Sequence, residues 1–230
     1  MFFDPVYFLI MLPGLILAGL ASLTVKTTFS RYSRVRSYSG MTGAQAAERM
    51  MRSNGVFDVA VEETQGFLSD HYDPSKKVLR LSPDVYRSDS LAAVGVACHE
   101  AGHALQHASQ YAPLVLRTVL VPATNFSSMF AFYVFAAGFM FRPLLYVGCA
   151  LFAVAFLFAL VTLPVEWDAS ARAKQHLVMA GIVSPGQERE AGRVLNAAFL
   201  TYLAAAISSL MSLLYFLYRA GLLGGNRDRD

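Results

Sequence analysis

The sequence predicts a mainly α-helical, multi-pass membrane protein. Four transmembrane helices carry a cytoplasmic helical subdomain of zincin type, built around an H-E-x-x-H helix and holding a small β-hairpin. Three observations lead there. Of 230 residues, 55% are hydrophobic and 15% charged, and the mean hydropathy is +0.43. This apolar excess is gathered into long uncharged blocks, a pattern that excludes intrinsic disorder and is foreign to an ordinary soluble domain. The second observation is the run His99-Glu100-Ala101-Gly102-His103, and the third is an uneven division of Lys and Arg between the two faces that four crossings create.

Each element follows from a local signal. The first uncharged block, 5–25, follows Asp4 where a secretory signal would carry basic residues, and no small-residue cleavage site precedes Lys26, so it reads as a retained anchor. Thr42 to Gln45 has the T-x-x-Q form of a capping box and opens a helix through Ala46, Ala47, Met50 and Met51 that Asn54-Gly55 ends. A short strand is expected at 56–61. Gly66-Phe67-Leu68-Ser69 and Lys77-Val78-Leu79-Arg80-Leu81-Ser82 flank Asp73-Pro74-Ser75-Lys76, which reads as a hairpin. From Ser90 to about Gln110 the chain reads as a helix with a histidine at every fourth position in its second half. The remaining blocks, 118–141, 143–165 and 194–218, are each long enough to cross about 30 Å of hydrocarbon as a helix. Pro13, Pro122 and Pro164 mark kinks or ends within them. No repeat or linker divides the chain, so 1–230 is expected to form a single membrane-embedded domain.

Four crossings place 26–117 and 166–193 on one face. That face carries 15 of the 19 Lys and Arg; the other carries Arg142, Arg219, Arg227 and Arg229. The bias puts both large segments in the cytoplasm of a cell with an inner membrane. The net charge of +3 arises from scattered residues, which excludes a nucleic-acid partner. Cys98 and Cys149 lie in apolar contexts without metal-ligand spacing, so neither a disulfide framework nor a thiolate site is expected.

The chemistry-bearing pattern is the histidine helix. At about 100° per residue His99 and His103 lie about 40° apart and one turn along, close enough for two imidazoles to share a Zn²⁺, with Glu100 beside them to act on a water. A catalytic zinc takes three protein ligands and an open position. The metzincin pattern needs Gly and His where this chain has Gln106 and Ser109, so it fails. His107 lies about 6 Å further along the axis than His103, too far to join both as a ligand. The third ligand is therefore sought at Leu163-Pro164-Val165-Glu166-Trp167-Asp168-Ala169-Ser170-Ala171-Arg172, on the same membrane face. Glu166 and Asp168 both remain open there, with Glu166 favoured because it lies nearest the membrane end of its helix.

These runs, together with Leu81-Ser82-Pro83-Asp84-Val85-Tyr86, Asp70-His71-Tyr72-Asp73-Pro74 and Leu200-Thr201-Tyr202, resemble the YugP-type neutral zinc metallopeptidases of bacterial membranes. The similarity covers nearly the whole chain. It implies Zn²⁺ held by His99, His103 and Glu166, with Glu100 as the catalytic base. More distantly the chain is similar to the HtpX-type gluzincins, which have E-x-x-x-D after the motif. Here Ser170 stands at the aspartate position, which leaves another residue to orient the first histidine, with Asp168, Asp89 and Arg172 as candidates. Ser170, His107 and His71 complete the set expected behind the ligands or at the transition state, His71 as a hairpin-turn residue able to face the site and stabilise an oxyanion. Tyr202 and Tyr215 are expected to pack within the last span.

The expected function is a membrane-embedded zinc endopeptidase that cleaves membrane or membrane-proximal polypeptides at the cytoplasmic face, with the bilayer and the substrate polypeptide as its partners. The alternative is a non-catalytic membrane scaffold or adaptor that retains a zinc site. A di-iron oxidase lacks its second E-x-x-H, and five histidines are too few for a desaturase cluster. An intramembrane protease would need an aspartate inside a span, and the four blocks contain none.

Overall fold

Long uncharged blocks have no alternative in hydrocarbon to satisfying their backbone internally, and they fold as long helices. The computed structural model describes residues 5–66 and 69–223. Its helices are α1 (Pro5–Tyr32), α2 (Gly43–Ser53), α3 (Pro83–Tyr86), α4 (Leu91–Ala108), α5 (Ala112–Ala137), α6 (Pro143–Met179) and α7 (Pro185–Arg219), with strands β1 (Ala60–Glu63), β2 (His71–Asp73) and β3 (Val78–Leu81) between α2 and α3. The protein is thus mainly helical, with a small three-stranded sheet. α1, α5, α6 and α7 are long and apolar enough to cross a membrane.

The helices do not stop where the expected spans stop. α1 runs on to Tyr32 and α6 to Met179, while α5 starts at Ala112 and ends at Ala137, short of the expected 141. Charged residues end a hydrophobic block without ending a helix, because Lys, Arg and Glu are good helix formers. Asp4, Arg227 and Arg229 lie outside the described residues, as do Phe67 and Leu68 of the expected hairpin.

The chain forms two compact units. One comprises the described residues up to Ala21, Leu116–Leu163 and the stretch from Thr201 onward. Its buried cluster joins Phe135, Leu145, Cys149, Tyr215 and Phe216, with Tyr7 and Phe152 packed against them. Tyr215 is thus a packing residue there, stacked edge-on against Tyr7.

The other unit comprises Ser22–Val115 and Pro164–Leu200. α4 is its centre: 14 of its 18 residues are buried, among them Leu91, Val94, Cys98 and Leu105. Ser90 caps it, accepting a hydrogen bond from the Ala93 amide at 3.2 Å. Gln110, at a left-handed φ of 51°, ends it, with the Tyr111 amide donating to the Gln106 carbonyl. α2 is amphipathic and buries Ala46, Ala47, Met50 and Met51; Thr42 and Gln45 form the expected reciprocal cap. Asn54 closes α2, and Gly55 turns the chain at a φ of +77°, where a side chain would be strained.

The sheet order is β1-β3-β2, with β1 parallel and β2 antiparallel to β3. A hairpin is present with His71–Asp73 as its first strand; the expected 66–69 run contains Phe67 and Leu68, which lie outside the described residues. Asp73 ends the strand and folds its carboxylate over the turn, accepting from the Ser75 amide at 3.0 Å and the Ser75 hydroxyl at 2.6 Å. These bonds hold the Asp73 carboxyl near 2, below its ordinary range. The strand expected at 56–61 lies at Ala60–Glu63, where it can pair with β3.

Candidate metal centre

α6 meets α4 through a strip of small and polar residues. Val165, Glu166, Ala169, Ser170, Ala173 and Leu177 are buried, at a spacing of one helical face, while Trp167 on the other side is 60% exposed. The approach is close because of Gly102. A Cβ there would stand 2.6 Å from the Ala169 carbonyl oxygen, so the second variable position of the histidine motif has room only for hydrogen.

That approach brings Glu166 onto both motif histidines. Its Oε2 lies 3.1 Å from Nε2 of His99 and 3.6 Å from Nε2 of His103. The two rings stand edge to face, 4.9 Å between centroids. One ligand atom from each of the three residues lies within 4.8 Å of the others, and all three residues are buried. Among the described residues no other group of three or more His, Cys, Asp or Glu is so disposed. Two imidazole nitrogens and one carboxylate oxygen, converging and leaving further positions open, fit the donor set of a catalytic Zn²⁺. Burial works to lower the His103 pKa, but the Glu166 hydrogen bond and the charges of Glu100 and Glu166 outweigh it and hold the imidazole above its usual value.

Behind the ligands the arrangement departs from expectation. The residue on Nδ1 of His99 is Ser170 itself, its hydroxyl 3.1 Å away. Ser170 is one turn after Glu166 on the buried face of α6, so a short side chain suffices where another residue was expected to orient His99. Asp89 is not there: it pairs with Arg36 and helps hold the 33–40 segment. Asp168 and Arg172 serve the other histidine. Arg172 Nε donates to Asp168 at 2.6 Å, Asp168 accepts from Gln106 at 2.9 Å, and Gln106 meets Nδ1 of His103 at 2.9 Å. Gln106 entered the sequence argument only as a failed metzincin position. Its spacing of three from His103 on a helix was the signal that could have found it.

His107 shares a 2.8 Å hydrogen bond through Nδ1 with the Tyr72 hydroxyl and stands outside the three-ligand group. Burial pushes the Tyr72 phenol up to about 12, aided by the charges of Asp58 and Asp73, so it keeps its proton. His71 is not a turn residue but opens β2; strand alternation sends it to the face opposite Tyr72, where it bonds the Ser69 carbonyl at 2.8 Å. Asp70 accepts from the amide and hydroxyl of Ser82, tying β2 to the start of α3. Burial raises its carboxyl, and the charge of Glu100 adds to the effect. Glu100 is half-buried beside the ligands.

The family described as "Putative neutral zinc metallopeptidase" matches residues 7–221. The "Putative membrane protease YugP" of Bacillus subtilis (strain 168) is 47% identical over 198 residues, covering 85% of this chain and 88% of that protein. No solved structure matches. With the match running over nearly its whole length, the chain belongs to this neutral zinc metallopeptidase family, whose cofactor is Zn²⁺ and whose substrates are polypeptides.

Proposed function

We propose that the protein is a zinc endopeptidase of gluzincin type, with His99, His103 and Glu166 as metal ligands and Glu100 as the catalytic base. The observation that carries this reading is the buried convergence of the two motif histidines and Glu166. When bound, zinc supplies Lewis acidity that polarises a scissile carbonyl and makes water a nucleophile at neutral pH. The chain's own groups do the rest. Glu100 adjoins His99 on α4 and takes a proton from the attacking water, then returns it to the leaving amine. Ser170 and Gln106 steady the two imidazoles from behind. β2 is an outer strand of the sheet beside α4, and its backbone edge can hold an extended substrate by strand addition.

The basic residues near the ends of the apolar helices support a cytoplasmic placement of 26–117 and 166–193 in an inner membrane. Substrates would then be membrane or membrane-proximal polypeptides that reach that face. The test is cleavage of a denatured test protein by the purified full-length chain, with and without a chelator, alongside Glu100→Gln. The variant should keep its zinc and lose about 10²–10⁴-fold in turnover, because the base is removed and the ligands are untouched. Equal cleavage by both forms would leave Glu100 a structural residue, and no cleavage by either would favour a zinc-bearing scaffold.

A further inference from the structure

Gln106 is fully buried, and its amide is engaged at both ends. Its Nε2 lies 2.7 Å from the Val165 carbonyl oxygen and 2.9 Å from Asp168 Oδ2, while its Oε1 lies 2.9 Å from Nδ1 of His103. A carbonyl and a carboxylate can only accept, so the NH₂ end must face them, whichever way the amide is drawn. The oxygen is thereby left facing His103, and an amide oxygen can only accept. Nδ1 of His103 must then carry a proton. Asp168 is itself held in place: Arg172 donates to it at 2.6 Å, and the Arg172 guanidinium lies over the Tyr111 ring at 5.7 Å.

We propose that Gln106, anchored on Val165 and Asp168, is a positioning residue that selects the Nδ1–H form of His103, so that Nε2, the nitrogen on the Glu166 side, offers its lone pair to the metal. This rests on the zinc site proposed above and adds a part to it. The two histidines are supported differently. The Ser170 hydroxyl can donate or accept, so it steadies the His99 ring without choosing its tautomer, whereas Gln106 leaves His103 no choice. A histidine held this way keeps its Nδ1 proton when the metal arrives, so that only Nε2 changes partner, and the hydrogen bond to Nδ1 raises the donor strength of Nε2.

The experiment is zinc affinity of the full-length protein in detergent, measured by competition with a chromophoric chelator, together with ¹⁵N spectra of histidine-labelled, zinc-loaded wild type. Gln106→Leu should bind zinc roughly 10–100-fold more weakly, the loss expected when a hydrogen-bond partner behind a ligand is removed. Gln106→Glu should also weaken binding, because it sets a carboxylate against both the Val165 carbonyl and the Asp168 carboxylate, two groups that can only accept. The spectra should show His103 protonated at Nδ1 and bound through Nε2. Wild-type affinity in Gln106→Leu or in Gln106→Glu, or His103 bound through Nδ1, would each overturn the proposal. If Gln106→Leu does not fold, Gln106→Glu and the wild-type spectrum decide. Zinc binding that survives His99→Ala would instead overturn the metal site itself, so the two failures are distinguishable.

Discussion

Glu166 and Asp168 stand two residues apart on α6 and face different partners. About 200° of helical rotation separates them, so one carboxylate meets the histidine nitrogens while the other reaches Gln106 and Arg172. Substitution should separate their roles. Glu166→Gln replaces the carboxylate proposed as the third ligand with a neutral amide, a poor ligand for zinc, and is expected to weaken zinc binding and abolish cleavage. Asp168→Asn keeps an oxygen that can accept from Gln106, and its loss should stay within the roughly 10–100-fold typical of groups behind a ligand. Chelator competition on both variants checks this; an empty site in Asp168→Asn beside a full one in Glu166→Gln would reverse the assignment. Of the site, the histidine pair and Glu100 were legible because they lie within five residues on one helix. The carboxylate proposed as third ligand could be narrowed to two candidates by position, since spacing within α6 does not reveal which face meets α4. Ser170 on His99 was not legible, because a serine carries no signature of its partner 71 residues away in sequence.

At the scale of elements, the centre depends on how closely α4 and α6 approach, and Gly102 sets that distance. Gly102→Ala would drive a methyl group into the Ala169 carbonyl, an overpacking that costs about 1–3 kcal/mol and pushes α6, with Glu166 and Ser170, away from the histidines. The expected result is a lowered unfolding midpoint and weakened zinc binding together. Wild-type affinity in that variant would show that the helices tolerate the shift. The elements themselves were unequally readable. α4 begins at the expected Ser90, and α2 announces both ends, through Thr42 and Asn54. The sheet did not, because β1 pairs in parallel with a strand that follows the intervening β2, a non-local match without a sequence signal. The polar triplet 71–73 does not look like a strand, and it forms one because the Asp73 carboxylate folds the turn and because Tyr72 has His107 to bond. Helix ends beyond the apolar blocks were hidden for a related reason: hydropathy reports where the hydrocarbon stops, and the backbone hydrogen bonds of α1 and α6 continue past it.

For the whole molecule, membrane orientation and the metal are the two properties to test. The charge bias predicts that the hairpin turn lies in the cytoplasm. Lys76→Cys puts a thiol on an exposed turn position, and the two native cysteines are buried, so labelling should report that site. A membrane-impermeant thiol reagent should modify it only from the cytoplasmic side, and modification of intact cells from outside would invert the topology. The metal is tested most directly by the zinc content of the purified full-length protein beside its ligand variants. Wild type should carry about one zinc per chain, and His99→Ala, His103→Ala and the double variant should carry essentially none, because a site of three protein ligands does not survive the loss of a histidine. Stoichiometric zinc in the double variant, in protein that remains folded, would contradict a centre built on His99, His103 and Glu166.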